Sequence, residues 1–448
     1  MNNFKKKIFI FTLILLFFLF FSKNFTSYLK KNLNEKDKSK IRRLIVNLKN
    51  RDFSDYTIFE IKRSKYLDKK EYNKKFLDNK ENVKAELILK KKINSFLKMK
   101  IQYFELPLNN YKNSDMKPVA FLDVYMGYIF IVSGDGQIFK IKKNNFDDKN
   151  ILIQKVNSNL YDLINNPLIK EKGEFSIKSI LIDQNELFIS FTSMPSDNCY
   201  SMKVIKSNLL NDTLHFKNFF NPKECVSKEK GKEFSALQTG GKMIAYKDDK
   251  ILINIGEYRN RPLAQDANSI FGKVLIVNKS TQKYEILSMG HRNQLGMFFD
   301  EQSKTLIMSE MGPKGGDEIN INKNLEKNMN NYGWPISSYG EHYSQTFKPN
   351  APLHKSHKKF GYLEPIKYWN PSVSPSQIKK VSFLNKKDNQ NILLMSTLGW
   401  RSKEKIKIGN QSLHFLIFNS DYSKLNDIKV LNIKERVRDF LIIDNKKI

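Results

Sequence analysis

The sequence predicts an all-β fold, a six-bladed β-propeller over residues 111–448. An N-terminal membrane or signal helix and a partly helical extension precede it. Three observations carry that expectation. A turn-and-strand unit recurs six times, at intervals of roughly 50 to 85 residues. The first 22 residues join a basic cluster to one long apolar run. Between them, residues 23–110 are Lys-rich, almost free of Gly and Pro, and carry apolar residues at helical spacing.

The N-terminal element comes first. Lys5–Lys7 precede Ile8–Phe21, an apolar run broken only by Thr12. A basic cluster before such a run matches a secretory signal. The run is short for a bilayer span, which needs about 20 residues. No small-residue cleavage site follows at "FSKNFTS". Residues 1–22 therefore read as an uncleaved signal anchor in preference to a cleaved signal peptide. Either way the remainder is expected on the periplasmic or extracellular side, with membrane attachment through the N-terminal helix. In the extension, "SYLKKNLNEKDKSKIRRLIVNLKN" and "VKAELILKKKINSFLKMK" read as a partly helical, membrane-proximal stalk.

The repeated unit is an apolar segment, a polar turn with Asp, Asn or Gly, then a β-rich run. Its copies are "SGDGQIFKI" (133–141), "LIDQNELFISFT" (181–192), "AYKDDKILINIG" (245–256), "FFDEQSKTLIMSE" (298–310), "FLNKKDNQNILLMST" (383–397) and "LIIDNKKI" (441–448). The turn residues tolerate positive φ and the flanking β-branched residues suit strands. A β-sandwich would not repeat the unit so evenly. Because the chain stops inside the sixth copy, ring closure is expected to use a strand near Gln102–Leu106.

The chain has 448 residues, 40% of them hydrophobic, and a net charge of +31. Its lysines are spread along the whole length instead of gathered in a patch, and no nucleic-acid motif accompanies them, so nucleic acid is set aside as a partner. Cys199 and Cys225 are the two cysteines. They have no metal-binding spacing. In an exported chain they form one disulfide closing the excursion between them, or remain two separate thiols.

Three stretches interrupt the repeats. "GHRNQLG" (290–296) places a histidine, an arginine and an asparagine in a Gly-bounded turn. In "SEMGPKGGDEIN" (309–320), Gly312, Pro313, Gly315 and Gly316 force an irregular backbone. Its carbonyls can serve a hard cation, with Asp317 and Glu318 nearby; the same stretch also reads as a long turn with solvated acids. "NNYGWPISSYGEHY" (330–343) is aromatic and turn-rich, suited to stacking a sugar or planar cofactor, or to packing between blades.

Together with "GKVLIV" (272–277), "YWNPSVSPS" (368–376) and "RVRD" (436–439), these stretches follow the order found in soluble pyrroloquinoline-quinone-dependent sugar dehydrogenases. Residues from about 115 to 448 resemble that glucose/sorbosone dehydrogenase family. The resemblance implies a six-bladed propeller binding pyrroloquinoline quinone (PQQ) and calcium, oxidising an aldose or related sugar, and passing electrons to a membrane or soluble acceptor. Arg292 and Asn293 match cofactor-contacting positions. Arg436 and Arg438 match two arginines that hold the quinone's carboxylates, as guanidinium forks suit a tricarboxylate. Gly312 and Pro313 match positions whose carbonyls bind calcium. Trp369 matches a substrate-side aromatic. Glu257 falls where the family has an Asp that orients the catalytic base.

Two departures follow from the same resemblance. The family's histidine base falls at Leu237 or Gln238 in "EFSALQTGGKM", and neither can act as a base. A quinone-contacting lysine is replaced near Gly399, with Arg401 and Lys403 close by in sequence. Gln238, Glu257 and Trp369 are thus the candidate pocket. His291 reads as structural, holding the loop that aims Arg292. His342, His354 and His357 fall in a polar insertion, about 336–365, that can form a lid; their spacing matches no strong metal motif. His215 and His414 read as surface residues. The rival expectation is a non-catalytic propeller binding a glycan, peptide or envelope protein through its top face.

Overall fold

Turns at polar pairs drive the architecture. In "AYKDDKIL" the chain reverses so that Tyr246 faces Lys250, and in "LIDQNELF" Asp183 faces Glu186. The computed structural model describes residues 82–94, 98–104 and 119–448, apart from 135, 148–149, 165–175, 229–232, 324, 327–328, 345–347, 350, 385–388, 400–410 and 444–447. The expected signal helix, the extension up to residue 81, Arg401 and Lys403 lie outside these residues.

Five sheets are formed among the described residues, almost wholly antiparallel, with only short helical turns. Each begins at an innermost strand: Ala120–Tyr125, Ile177–Asp183, Gly240–Tyr246, Gln294–Asp300 and Pro375–Lys380. Consecutive innermost strands lie against one another, giving a propeller-like arrangement. Side chains stitch neighbours together. The Ile182 N–H donates to Asp123 Oδ2 at 2.7 Å, Ser190 Oγ to Gly241 O at 2.6 Å, and Ser309 Oγ to Ser376 O at 2.6 Å. Because each sheet is covered on both faces, central strands such as Lys250–Ile255 are buried almost continuously. Leu252, Leu306 and Met308 fill one such interface, and Ile307, Leu393 and Phe418 another.

Three expectations change. "VKAELILKKKINSFLKMK", expected as helix, supplies strands Asn82–Asn94 and Lys98–Phe104. Its spacing also satisfies strand alternation at Val83, Ala85, Leu87 and Leu89. The open edge of Asn150–Lys155 settles the choice by pairing with Asn82–Asn94. Gln102–Phe104 consequently sits at the outer edge of the first sheet, paired with Asn82–Asn94, and does not complete the last repeat. "LIIDNKKI" forms no sixth sheet among the described residues. Instead the segment 436–443 wedges between the fifth and first sheets. Asp439 accepts from Leu122 N at 3.0 Å and from Gln377 Nε2 at 2.7 Å. Leu441 and Ile443 pack into the core of the first sheet, and Phe440 into that of the fifth. The five innermost strands and this wedge together line a narrow cavity.

The two cysteines form a disulfide, with Cα atoms 5.4 Å apart.

Candidate functional site at one end of the ring

The innermost strands all start at one end of the ring, where the interrupting stretches also gather. "GHRNQLG" is organised there by His291, which is buried. Its Nε2 meets Ser288 Oγ at 2.8 Å and its Nδ1 meets Glu310 Oε2 at 3.1 Å and Gln294 Nε2 at 2.8 Å. Its ring stacks on Tyr332. Glu310 turns its other oxygen to the Arg292 backbone N–H. His291 therefore positions the carboxylate that positions Arg292, the structural role expected of it. Gly290 has φ 73°, and a Cβ there would meet Asn331 Oδ1 at 2.1 Å, so only glycine fits this entry.

The Arg292 side chain is buried and donates through Nη1 to Met311 O at 2.8 Å and Gly312 O at 2.7 Å. Pro313 O accepts from the Tyr343 hydroxyl at 3.0 Å. Both carbonyls expected to hold calcium are thus taken by protein donors, one of them cationic. Asp317 is not available either. Its carboxylate accepts from the backbone of Gly312, Val373 and Ser374 and from Ser372 Oγ. Burial raises the Asp317 pKa against those bonds. Glu318 is buried beside His357 and Asn320. The donor set does not fit the expected calcium. The acids read as solvated or cation-binding in the sequence are loop clamps.

Beside Arg292 lies a denser cationic cluster. Trp334 has the Arg261 and Arg292 guanidinium carbons each 5.3 Å from its ring centroid. Arg261 pairs with Glu233 at 2.8 Å and approaches His342 Nδ1 at 3.4 Å. Arg259 lies over Tyr343. Within this cluster Glu257 is fully buried, its backbone N–H donating to Arg292 O at 3.1 Å. Neither carboxylate oxygen has a hydrogen bond of normal geometry. Burial pushes its pKa up to about 7, against the pull of Arg292, Arg261 and Arg259.

The remaining candidates distribute around the same end. Gln238 accepts at its carbonyl from Tyr258 N, 2.9 Å away, which sets it beside Glu257; its buried Oε1 has no partner. Leu237 is 38% exposed, so of the two candidate base positions it is the one facing solvent. Asn293 is buried, its Oδ1 held by Gly240 N at 2.9 Å. Arg436 donates to Leu398 O at 2.9 Å and Gly399 O at 2.6 Å, tying down the end of Gln390–Thr397. Arg438 points to the axis, lining a narrow cavity with Lys178 and Gly240. Trp369 belongs to the outermost strand of the fourth sheet and packs edge-on against His414. Gln238, Glu257, Arg292 and Asn293 thus share one neighbourhood. Arg438 joins it through Gly240, and Arg436 and Trp369 stand on the side of the fifth sheet.

The other histidines separate. His342 meets Arg261, His354 stacks on Phe360, and His357 bonds Tyr332 O at 2.9 Å. They form no metal grouping among the described residues. His215 is exposed, as expected. His414 is not: it is buried in Ser412–Asn419 and bonds Ser412 Oγ, because both faces of that strand are covered. Sequence reasoning missed Arg259, Arg261 and Trp334. "EYRNR" carried a signal, two arginines immediately after a candidate acid at a strand end.

The fold is a β-propeller whose loops gather a cationic site at one end. The family model described as Glucose / Sorbosone dehydrogenase matches residues 176–442, and the chain belongs to that family. It is 30% identical over 193 residues to the aldose sugar dehydrogenase YliI of Escherichia coli (strain K12), covering 38% of this chain and 50% of that protein. The chain thus spans about half the length of this curated relative. A glucose dehydrogenase crystal structure superimposes with a TM-score of 0.55 at 21% identity, covering 72% of this chain and 89% of that one. The apo form of the soluble aldose sugar dehydrogenase of Escherichia coli gives 0.50 at 19% identity, covering 71% and 88%. At these identities the likeness bears on the fold.

Proposed function

We propose that this protein is an exported quinoprotein dehydrogenase, a propeller of six positions tethered through its N-terminal segment, that oxidises an aldose or related sugar. Family membership and the arginine-rich end of the ring support the reading. The observation that carries it is Glu257, a buried carboxylate with no hydrogen bond of normal geometry, within the cluster of Arg292, Arg261 and Arg259 and at the position of the family's orienting acid.

The donor chemistry here fits PQQ: Arg292, Arg436 and Arg438 would hold its carboxylates, with Asn293 fixing the loop. A bound quinone would supply the acceptor for a hydride from the sugar's anomeric carbon. Glu257 takes the anomeric hydroxyl proton in place of the missing histidine. Glutamate is one methylene longer than the family's aspartate, and a pKa near 7 lets it cycle between both forms. Arg292 and Arg261 limit the cost of its ionised form. Calcium has no part in this reading.

The test is an absorbance titration of the purified chain with the quinone, followed by dye reduction across an aldose panel. Saturable binding with turnover that Glu257→Gln removes supports the assignment. Failure to bind the quinone overturns it. Binding without turnover turns the reading toward the non-catalytic propeller, which the exposed Leu237 at a candidate base position favours.

A further inference from the structure

The axis of the ring holds a charge imbalance. A narrow cavity there is lined from all five innermost strands and from the 436–443 wedge, including Phe121, Lys178, Lys242, Gln377, Arg438 and Asp439. Lys178 Nζ donates to Ala236 O at 3.2 Å, its contact in the structure. Lys242 is buried. Among the described residues neither lysine forms an ion pair. The two nearby carboxylates attract Lys242 without forming an ion pair, and their hydrogen bonds come from other groups: Asp439 accepts from Leu122, Gln377 and Phe440, and Asp123 from Val124 and Ile182. Lys379 adds a further positive charge facing Lys242 and Asp123.

Ammonium groups that lack an ion pair in a narrow cavity are costly, and an anion relieves that cost. Burial, and then Arg438, push the Lys178 pKa down to about 7. Burial also lowers that of Lys242. We propose that the axial cavity is an anion site that takes a carboxylate of a small polycarboxylate between Lys178, Lys242 and Arg438. This deepens the proposed function, because the quinone carries such carboxylates, yet both lysines lie outside the positions the family resemblance supplied. An arriving carboxylate favours charged Lys178, so binding takes up a proton near neutral pH.

The experiment is calorimetric titration of the full chain at pH 7.5 with citrate and, separately, with the quinone, in two buffers of different ionisation enthalpy. The wild type is expected to bind with net proton uptake. Lys178→Met and Lys242→Met should each weaken binding by about tenfold or more, the size of one charge-assisted hydrogen bond. Lys178→Arg should keep affinity and lose the proton uptake, because a guanidinium does not titrate. It also serves if the Met variant does not fold. Quinone binding of unchanged affinity in both Met variants overturns the anion site and leaves the dehydrogenase reading standing. Citrate binding without quinone binding supports the site and overturns that reading. Binding of neither ligand overturns both.

Discussion

Arg292 donates to the carbonyl of Gly312 at 2.7 Å, so a fixed guanidinium stands on the oxygen that sequence resemblance assigns to calcium. The neighbouring Pro313 carbonyl is taken by Tyr343. A divalent cation would have to share these oxygens with a buried positive charge. Calcium or a chelator is therefore expected to leave both the unfolding midpoint and the quinone titration unchanged. A calcium-dependent rise in the midpoint would show that Arg292 yields these oxygens to the ion.

Glu257 gives a pH dependence of definite sign. Its pKa is raised by burial to about 7 in the folded chain and lies near 4.3 when unfolded. The folded state therefore binds this proton more tightly. The stability it contributes is fully present below the unfolded value and is lost as pH rises through about 7. Glu257→Gln removes the ionised form, so it should stabilise the protein at pH 8 by roughly 3 kcal/mol and change little at pH 4. The same variant should lower dye reduction by about 10²–10⁴-fold. Wild-type turnover should rise through neutral pH as the carboxylate forms. Equal effects on stability at pH 4 and pH 8 would rule out an ionising Glu257.

Asp317 should behave as a clamp. It satisfies three backbone N–H groups and one hydroxyl in two loops, Gly312 on one side and Ser372–Ser374 on the other. Asp317→Ala strands those buried donors and is expected to cost about 3–5 kcal/mol. Chemical denaturation measures the loss. A loss within the ordinary scatter of surface substitutions would mean that water replaces the carboxylate.

What the sequence disclosed depends on how local each determinant is. The hairpins at Asp183–Glu186 and Tyr246–Lys250 were legible because their turn residues and flanking strands are adjacent in the chain. The first sheet hid the hairpin of its innermost strand at Met126 and Gly127, whose positive φ values close a two-residue turn without an acidic residue. The stretch 441–448 was read as another hairpin because the contacts that make 436–443 a wedge, from Asp439 to Leu122 and Gln377, are remote in sequence. The site divides similarly. Arg292 and His291 announce themselves in one short motif. Lys178 is the one lysine in "FSIKSILID", indistinguishable from a solvent-facing strand position until the ring closes around it. The availability of a carbonyl or carboxylate, as at Gly312 and Asp317, depends on donors arriving from other loops and has no sequence signal.

The disulfide offers a prediction independent of the site. Cys199 opens the strand Cys199–Asn208 and Cys225 precedes Val226–Ser227, so the bond closes an excursion of sequence separation 26. A loop of that length limits the unfolded chain by about 3–4 kcal/mol in the chain-entropy account. Backbone pairing of Val226 with Tyr200, and of Lys228 N with Asn198 O at 2.8 Å, holds the same ends together without the sulfurs. Reduction is therefore expected to lower the unfolding midpoint while leaving the folded sheet content unchanged. The double variant Cys199→Ala, Cys225→Ala should show the same midpoint as the reduced wild type, with no further response to reductant. Denaturation curves with and without reductant, read by circular dichroism, make the comparison. A midpoint that reductant does not move in the wild type would show that the bond adds nothing to the backbone pairing around it.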